Sequence, residues 1–262
     1  MSAPGAPGAP TPAEAYDRAY FLSACDGHDA FRASGGRVLA RRMALALDLA
    51  GPLAGRRVLD LGCGRGEVLW HCGERGAHVL GLDFAPDALR LARETLGERA
   101  PATLLRGDAT RLPLADGSLD LVLALDLVEH LHPPELARLY SEVYRVLAPG
   151  GRLVVHTMPN AWYYRAGYPV FRLVQRLRGV RLPRNPRDRW PAGGLHVNEQ
   201  SLLSLRRTLR AAGFGVSVVL RDAQDYAREP NRWIRRGMAL LARVYPLAYV
   251  FCNDLFAVAT KP

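Results

Sequence analysis

Apolar positions alternate between two textures along the chain. The runs RRVLDLG (56–62), HVLGLD (78–83), ATLLRGD (102–108), SLDLVLALD (118–126) and RLVVHTM (152–158) are short and apolar. Most break at Gly or Asp, as strands buried on both faces do. Between them lie EVLWHCGERG (67–76), PDALRLARETLGER (86–99) and PPELARLYSEVYRVL (133–147). Their apolar residues recur every three or four positions, and Pro openings and Gly stops bound them, so each predicts a helix. Strand and helix in alternation predict parallel strands joined by right-handed crossovers, which is a doubly wound α/β sheet. Upstream, residues 14–54 carry apolar residues at mixed three- and four-residue spacings and also predict helix. The alternation pauses after Pro159. Residues 160–195 hold an aromatic stretch, a short helix from Pro169 to Arg178 and an Arg/Pro-rich loop. It resumes with a helix at 199–213, a strand at 214–220, a basic helix around 230–243 and a last strand at 254–260.

Composition changes this picture in few places. With 49% hydrophobic and 23% charged residues over 262 positions, the chain can bury a sizeable core. Residues 1–13, MSAPGAPGAPTPA, have almost nothing to bury and read as a flexible tail, which leaves 14–262 as a single domain. The tail lacks the basic start and apolar stretch of a secretory signal. The four cysteines form no CxxC pair and no metal-type cluster with His, so no metal is expected. Free thiols and no export signal point to the cytoplasm. The formal net charge is +10, which invites nucleic acid or an anionic membrane as partner. Lys261 is the only lysine. That lopsided usage looks like a compositional bias of the source, which weakens the nucleic-acid reading but does not explain the excess over Asp and Glu.

The candidate chemistry sits where strands meet helices. Gly62-Cys63-Gly64-Arg65-Gly66 follows a strand and opens a helix, so its backbone can approach a ligand and offer free N–H groups. The dinucleotide fingerprint wants a small sixth residue, and here that residue is Glu67. Asp60, two positions before the glycines, suits a cationic ligand better than a pyrophosphate. Asp83 ends the second strand and could accept bonds from ribose hydroxyls. Phe84 could pack on an adenine face, and Asp108 could meet an exocyclic amine. Each Asp could instead merely start a turn. Three of them share the C-terminal edge of a parallel sheet, where ligands bind in such folds.

In order and spacing, VLDLGCGRGEVL, GLDFAPDAL, RGDATRLPL, LDLVLALDLVEHL and RVLAPGGRLVV resemble the successive motifs of the class I S-adenosyl-L-methionine (SAM) dependent methyltransferases. Among these the type 11 domain, which includes the ubiquinone O-methyltransferases, is most similar. The resemblance covers 58–158 firmly and 196–260 loosely. It implies a Rossmann-like, seven-stranded, mostly parallel sheet with the last strand antiparallel, N-terminal helices and an insertion after strand five. It implies SAM as cofactor. Asp60, Gly62, Cys63 and Gly64 would line its methionine half, Asp83 would hold the ribose, and Phe84 would flank the adenine. Asp108 and Ala109 would meet the adenine edge, and Leu125 and Asp126 would lie near the sulfonium.

Methyl transfer needs a base only where the acceptor must lose a proton. His130 and His196 are the candidates, with His132 and His156 behind them. Strand four ends in ALDLVEHL, not in the Asn/Asp-Pro-Pro-aromatic motif of nucleobase and protein-amide methyltransferases. No Pro-Cys pair follows, as covalent attack on cytosine would require. A small-molecule O- or N-nucleophile remains, on a lipid-linked, quinone, saccharide or secondary-metabolite acceptor. An RNA methyltransferase and a non-catalytic SAM-binding protein are the alternatives. Residues 160–195 are the expected acceptor region. The stripe Val170, Val174 and Leu177 either packs on the core behind a solvated Arg face, or belongs to a lid over an amphipathic or anionic acceptor at a membrane surface. Oligomeric state is left open.

Overall fold

The computed structural model describes residues 13–97, 102–189, 193–224, 226 and 229–262. Apart from Ala13, the expected tail lies outside the described residues.

Seven strands form one sheet: β1 (Arg57–Leu61), β2 (His78–Asp83), β3 (Ala102–Arg106), β4 (Leu119–Leu125), β5 (Leu147–Thr157), β6 (Gly215–Leu220) and β7 (Leu255–Thr260). Their order is β3-β2-β1-β4-β5-β7-β6. β1 to β5 are parallel, and β7 runs antiparallel to both β5 and β6. This is the doubly wound, mostly parallel sheet expected from the alternation.

The near-continuous apolar runs have a direct cause. Successive side chains leave a strand on opposite faces. Val58, Leu121, Leu123 and Val154 enter one core with Met43, Ala46, Leu47 and Ala50 of α2 (Arg41–Ala50) and Leu69 and Cys72 of α3 (Glu67–Glu74). Leu59, Leu61, Val122 and Val155 enter the other core with Leu136, Leu139, Tyr140 and Val143 of α5 (Pro133–Val146) and Leu205 and Leu209 of α7 (Leu202–Ala211). α4 (Pro86–Leu96) lies beside α3 and begins at its predicted proline.

Residues 14–54 are helical as expected, in several short pieces. Short turns at 13–15 and 20–24 precede α1 (His28–Ser34), and α2 follows. Gly27, Gly35 and Gly36 adopt positive φ (79°, 59° and 81°) and interrupt the helix there. β5 begins at Leu147 rather than 152, because Leu147 pairs with Leu119 ahead of a register shift. The stripe on α6 (Tyr168–Leu177) does not pack on the core. Val170, Val174 and Leu177 are 49, 38 and 80% exposed.

Ahead of α6, Asn160 is fully buried. Its side-chain amide donates to the carbonyls of Tyr249 and Cys252, at 2.9 Å each. That fastens the segment after β5 to α9 (Ala248–Phe251), which follows α8 (Arg232–Arg243). No helix among the described residues is long and apolar enough to cross a membrane.

Candidate cofactor and acceptor site

The C-terminal ends of β1, β2 and β4 meet at one edge of the sheet. The loop after β1 turns on Gly62, Gly64 and Gly66, all at positive φ. A Cβ on Gly66 would stand 2.8 Å from Cα of Ala92, so this glycine lets α3 start against α4. The small residue that a dinucleotide fold keeps one position later is thus supplied here by the fifth residue. Glu67 is spent inside the protein. Its carboxylate accepts from Nε and Nη2 of buried Arg65 at 2.9 and 2.7 Å.

Asp83, at the end of β2, accepts from the backbone N–H of Gly64 (3.0 Å) and of Ala85 (2.9 Å). One carboxylate therefore pins the glycine loop and closes its own turn. Burial raises its pKa against those donors. Asp60 is different. It is 3% exposed, and no described residue donates a hydrogen bond to its carboxylate. Burial, followed by the charges of Asp83 and Glu67, pushes its pKa well above the ordinary value. Cys63 is buried beside these carboxylates, and its thiol is pushed up for the same reasons. Asp108 is exposed and bonds the N–H of Thr110 at 2.8 Å, and Ala109 is half-buried against the core. Phe84 is partly exposed, with its ring edge-on to Tyr16 at 5.4 Å.

Leu125 is buried, and Asp126 follows it at φ 54°, a left-handed conformation that Asp tolerates better than most residues. The Asp126 carboxylate accepts from Nε of Arg42 at 2.7 Å and bonds Nδ1 of His156 at 2.5 Å. Nε2 of His156 lies 3.3 Å from Asp254. Burial works against the charged ring, but Asp126 and Asp254 outweigh it and raise His156 to about 9. Burial likewise opposes the Asp126 charge, and Arg42 and His156 overcome it and lower its pKa. His156 is therefore a buried structural cation and not a free base.

Sequence reasoning assigned no ligand role to residues 13–26. They form a roof over the site. Phe21 comes within 3.4 Å of where a Gly64 Cβ would sit. Arg65 donates to the carbonyls of Phe21 (3.0 Å) and Asp26 (3.1 Å), and Arg42 donates to the same Asp26 carbonyl at 3.0 Å. A hollow of about 440 Å³ lies on the outer side of this roof, against Leu22, Phe31 and Leu91, and none of the motif carboxylates lines it.

The turn after β4 carries Glu129 and His130. The Glu129 carbonyl accepts from the N–H groups of Val197 (2.9 Å) and Asn198 (3.0 Å), which brings His196 across. The two imidazoles meet edge to face with centroids 4.8 Å apart. The Tyr16 hydroxyl and His130 Nδ1 are hydrogen-bonded at 3.0 Å, so one tyrosine touches both Phe84 and His130. Glu129 accepts from the Thr157 hydroxyl at 2.8 Å. Burial, then the Asp126 charge, raises Glu129 to about 8. Burial, then His196, lowers His130 to about 3, and burial lowers His196. Both rings are neutral at neutral pH. Glu129, His130 and His196 also place one donor atom each within 4.8 Å of the others, the only such metal-type group among the described residues.

The sequence profile of a methyltransferase domain matches residues 58–151, from β1 into β5. A demethylmenaquinone methyltransferase of Thermus thermophilus is 43% identical over 117 residues, 44% of this chain and 52% of that one. Residues 58–151 are a methyltransferase domain of the class I SAM-dependent type. The chain spans about half the length of that curated methyltransferase. Two solved structures share the fold. A phosphoethanolamine N-methyltransferase 2 of Haemonchus contortus, bound to SAM, gives a TM-score of 0.61 at 20% identity over 84% of this chain and 52% of that one. The 4+2 cyclase SpnF gives 0.63 at 21% over 97% and 99%. The methyltransferase fold thus extends well beyond residues 58–151.

Proposed function

We propose that the chain transfers a methyl group from SAM to an O- or N-nucleophile on a small, ring-bearing or lipid-linked acceptor. Among acceptor classes, the name of the Thermus thermophilus relative favours a quinone. The observation that carries the cofactor half is Asp60. A buried carboxylate without a partner is costly unless a cation meets it. SAM brings an ammonium and a sulfonium, whereas a dinucleotide brings anionic phosphates. When bound, SAM supplies a methyl group already activated on its sulfonium. Asp60 and the N–H groups of the glycine loop would hold the methionine half. Asp83, Phe84, Asp108 and Ala109 would hold the nucleoside, and Leu125 with Asp126 would border the reacting end. Tyr16 and Phe21 exclude water from above.

One of the pair His130 and His196 accepts the acceptor's single proton, with Glu129 beside them and Tyr16 orienting the His130 ring. Residues 160–195 shape the acceptor side, because they leave β5 at the same sheet edge. The test has two parts. By calorimetry, SAM and its demethylated product are expected to bind and NAD is not; NAD binding tighter than SAM overturns the cofactor assignment. With methyl-labelled SAM and an extract, label is expected in the lipid-soluble fraction, and label in RNA overturns the acceptor assignment.

A further inference from the structure

Surface helices ordinarily turn their apolar stripe inward. Two helices here also carry apolar side chains on their outer faces, and they are joined at their ends. Gln175 of α6 donates to Glu229 at 2.9 Å, and Glu229 accepts from the N–H of Asn231 at 3.0 Å. Asn231 in turn caps α8 through the N–H groups of Trp233 and Ile234. α6 exposes Val170, Leu173, Val174 and Leu177 at one-face spacing. α8 exposes Trp233 and Leu240 on its own outward stripe, with Trp233 64% exposed, and Val244, Tyr245 and Leu247 continue it.

The charge around these stripes has one sign. Neither α6 nor α8 contains an acidic residue. Arg176, Arg181, Arg184, Arg232 and Arg236 are exposed and ion-paired to no described residue. Arg232 and Arg236 stack on the Trp233 ring at 4.8 and 5.4 Å, so a broad aromatic face is framed by two guanidinium groups.

We infer that the outward faces of α6 and α8 dock this protein on an anionic lipid surface. Apolar side chains enter the headgroup boundary, Trp233 lies at the interface, and the guanidinium groups meet lipid phosphates. Charge decides between this occupant and a second copy of the chain. A self-paired face would press two arginine sets together, whereas an anionic bilayer neutralises one. The inference deepens the lipid-linked acceptor reading, since α6 follows directly from the segment leaving β5 at the edge that holds the site.

The experiment is flotation of the full chain with phosphatidylcholine vesicles and with mixed phosphatidylcholine/phosphatidylglycerol vesicles, without any methyl acceptor. Binding is expected to be about tenfold or more tighter on the anionic vesicles and to weaken with salt. The exposed-site double variant L173E/L177E, and separately W233E, should lose that binding while SAM affinity and Tm stay unchanged. R176Q/R236Q should lose the anionic preference. Equal partition of wild type and L173E/L177E overturns the inference. So does a concentration-dependent dimer that the same substitutions abolish. Vesicle binding without methylation of any lipid fraction would leave the docking intact and remove the acceptor assignment instead.

Discussion

At the scale of single residues, the site rests on an imbalance between two carboxylates. Asp83 is satisfied by Gly64 and Ala85, and Asp60 by nothing described. Asp60→Asn is expected to weaken SAM binding by roughly 1.5–3 kcal/mol, the range for a charged hydrogen bond. It should leave Tm unchanged or higher, because an unpartnered buried charge is removed. Since the Asp60 pKa is raised, wild-type affinity should fall as pH drops through that pKa, and the Asn variant should lose this dependence. Calorimetry across pH checks both; unaltered affinity with a collapsed Tm would make Asp60 structural. The placement of Asp60, Asp83 and the glycines at one sheet edge was legible in the sequence, because they stand at or just past the ends of β1 and β2. The commitments of Asp126 were not, since Arg42 lies 84 residues before it and His156 lies 30 after it.

At the scale of elements, the strands and crossover helices were readable because their periodicity is local. The N-terminal roof was not. Its mixed apolar spacing looked helical, while its use depends on Tyr16 reaching His130, 114 residues away. Glu129 was also missed, although it adjoins His130, because nothing in sequence distinguishes a buried glutamate from a solvated one. Tyr16→Phe keeps the ring against Phe84 and removes the hydroxyl. The expected result is a fall in kcat of about tenfold, the worth of one hydrogen bond, with SAM affinity preserved; an unchanged kcat would show that the bond serves packing only. Chelator treatment should leave turnover unchanged if Glu129, His130 and His196 handle protons. Loss of activity on chelation, restored by a divalent cation, would reassign the three to a metal.

At the scale of the whole molecule, buried ionisation sets the pH response. His156 titrates near 6.5 when unfolded and near 9 in the fold. Its stabilisation is complete below the first value and vanishes as pH rises through the second, on the order of 3 kcal/mol. Glu129, moved from 4.5 to about 8, acts in the same direction. Asp126 is lowered instead, and its contribution is lost only in acid. Tm should therefore fall between pH ~6.5 and ~9 on this linkage. Asp126→Asn keeps the shape but strips Arg42 and His156 of their counter-charge. It should cost about 3–5 kcal/mol and flatten the alkaline slope. A wild-type Tm independent of pH over that range would refute the assignment.

The shared carbonyl of Asp26 has a kinetic consequence. Arg42 reaches it from the first turn of α2, and Arg65 reaches it from the glycine loop. Asp60 and Asp83 are both buried; if the segment so fastened closes over them, a ligand diffusing from solvent meets them only when it lifts. Association is then a two-step event, opening followed by capture. In stopped-flow mixing, the observed rate should level off with rising ligand concentration at the opening rate, where an open cleft would give an unbroken straight line. Product must leave by the same route, so one latch would time both arrival and departure.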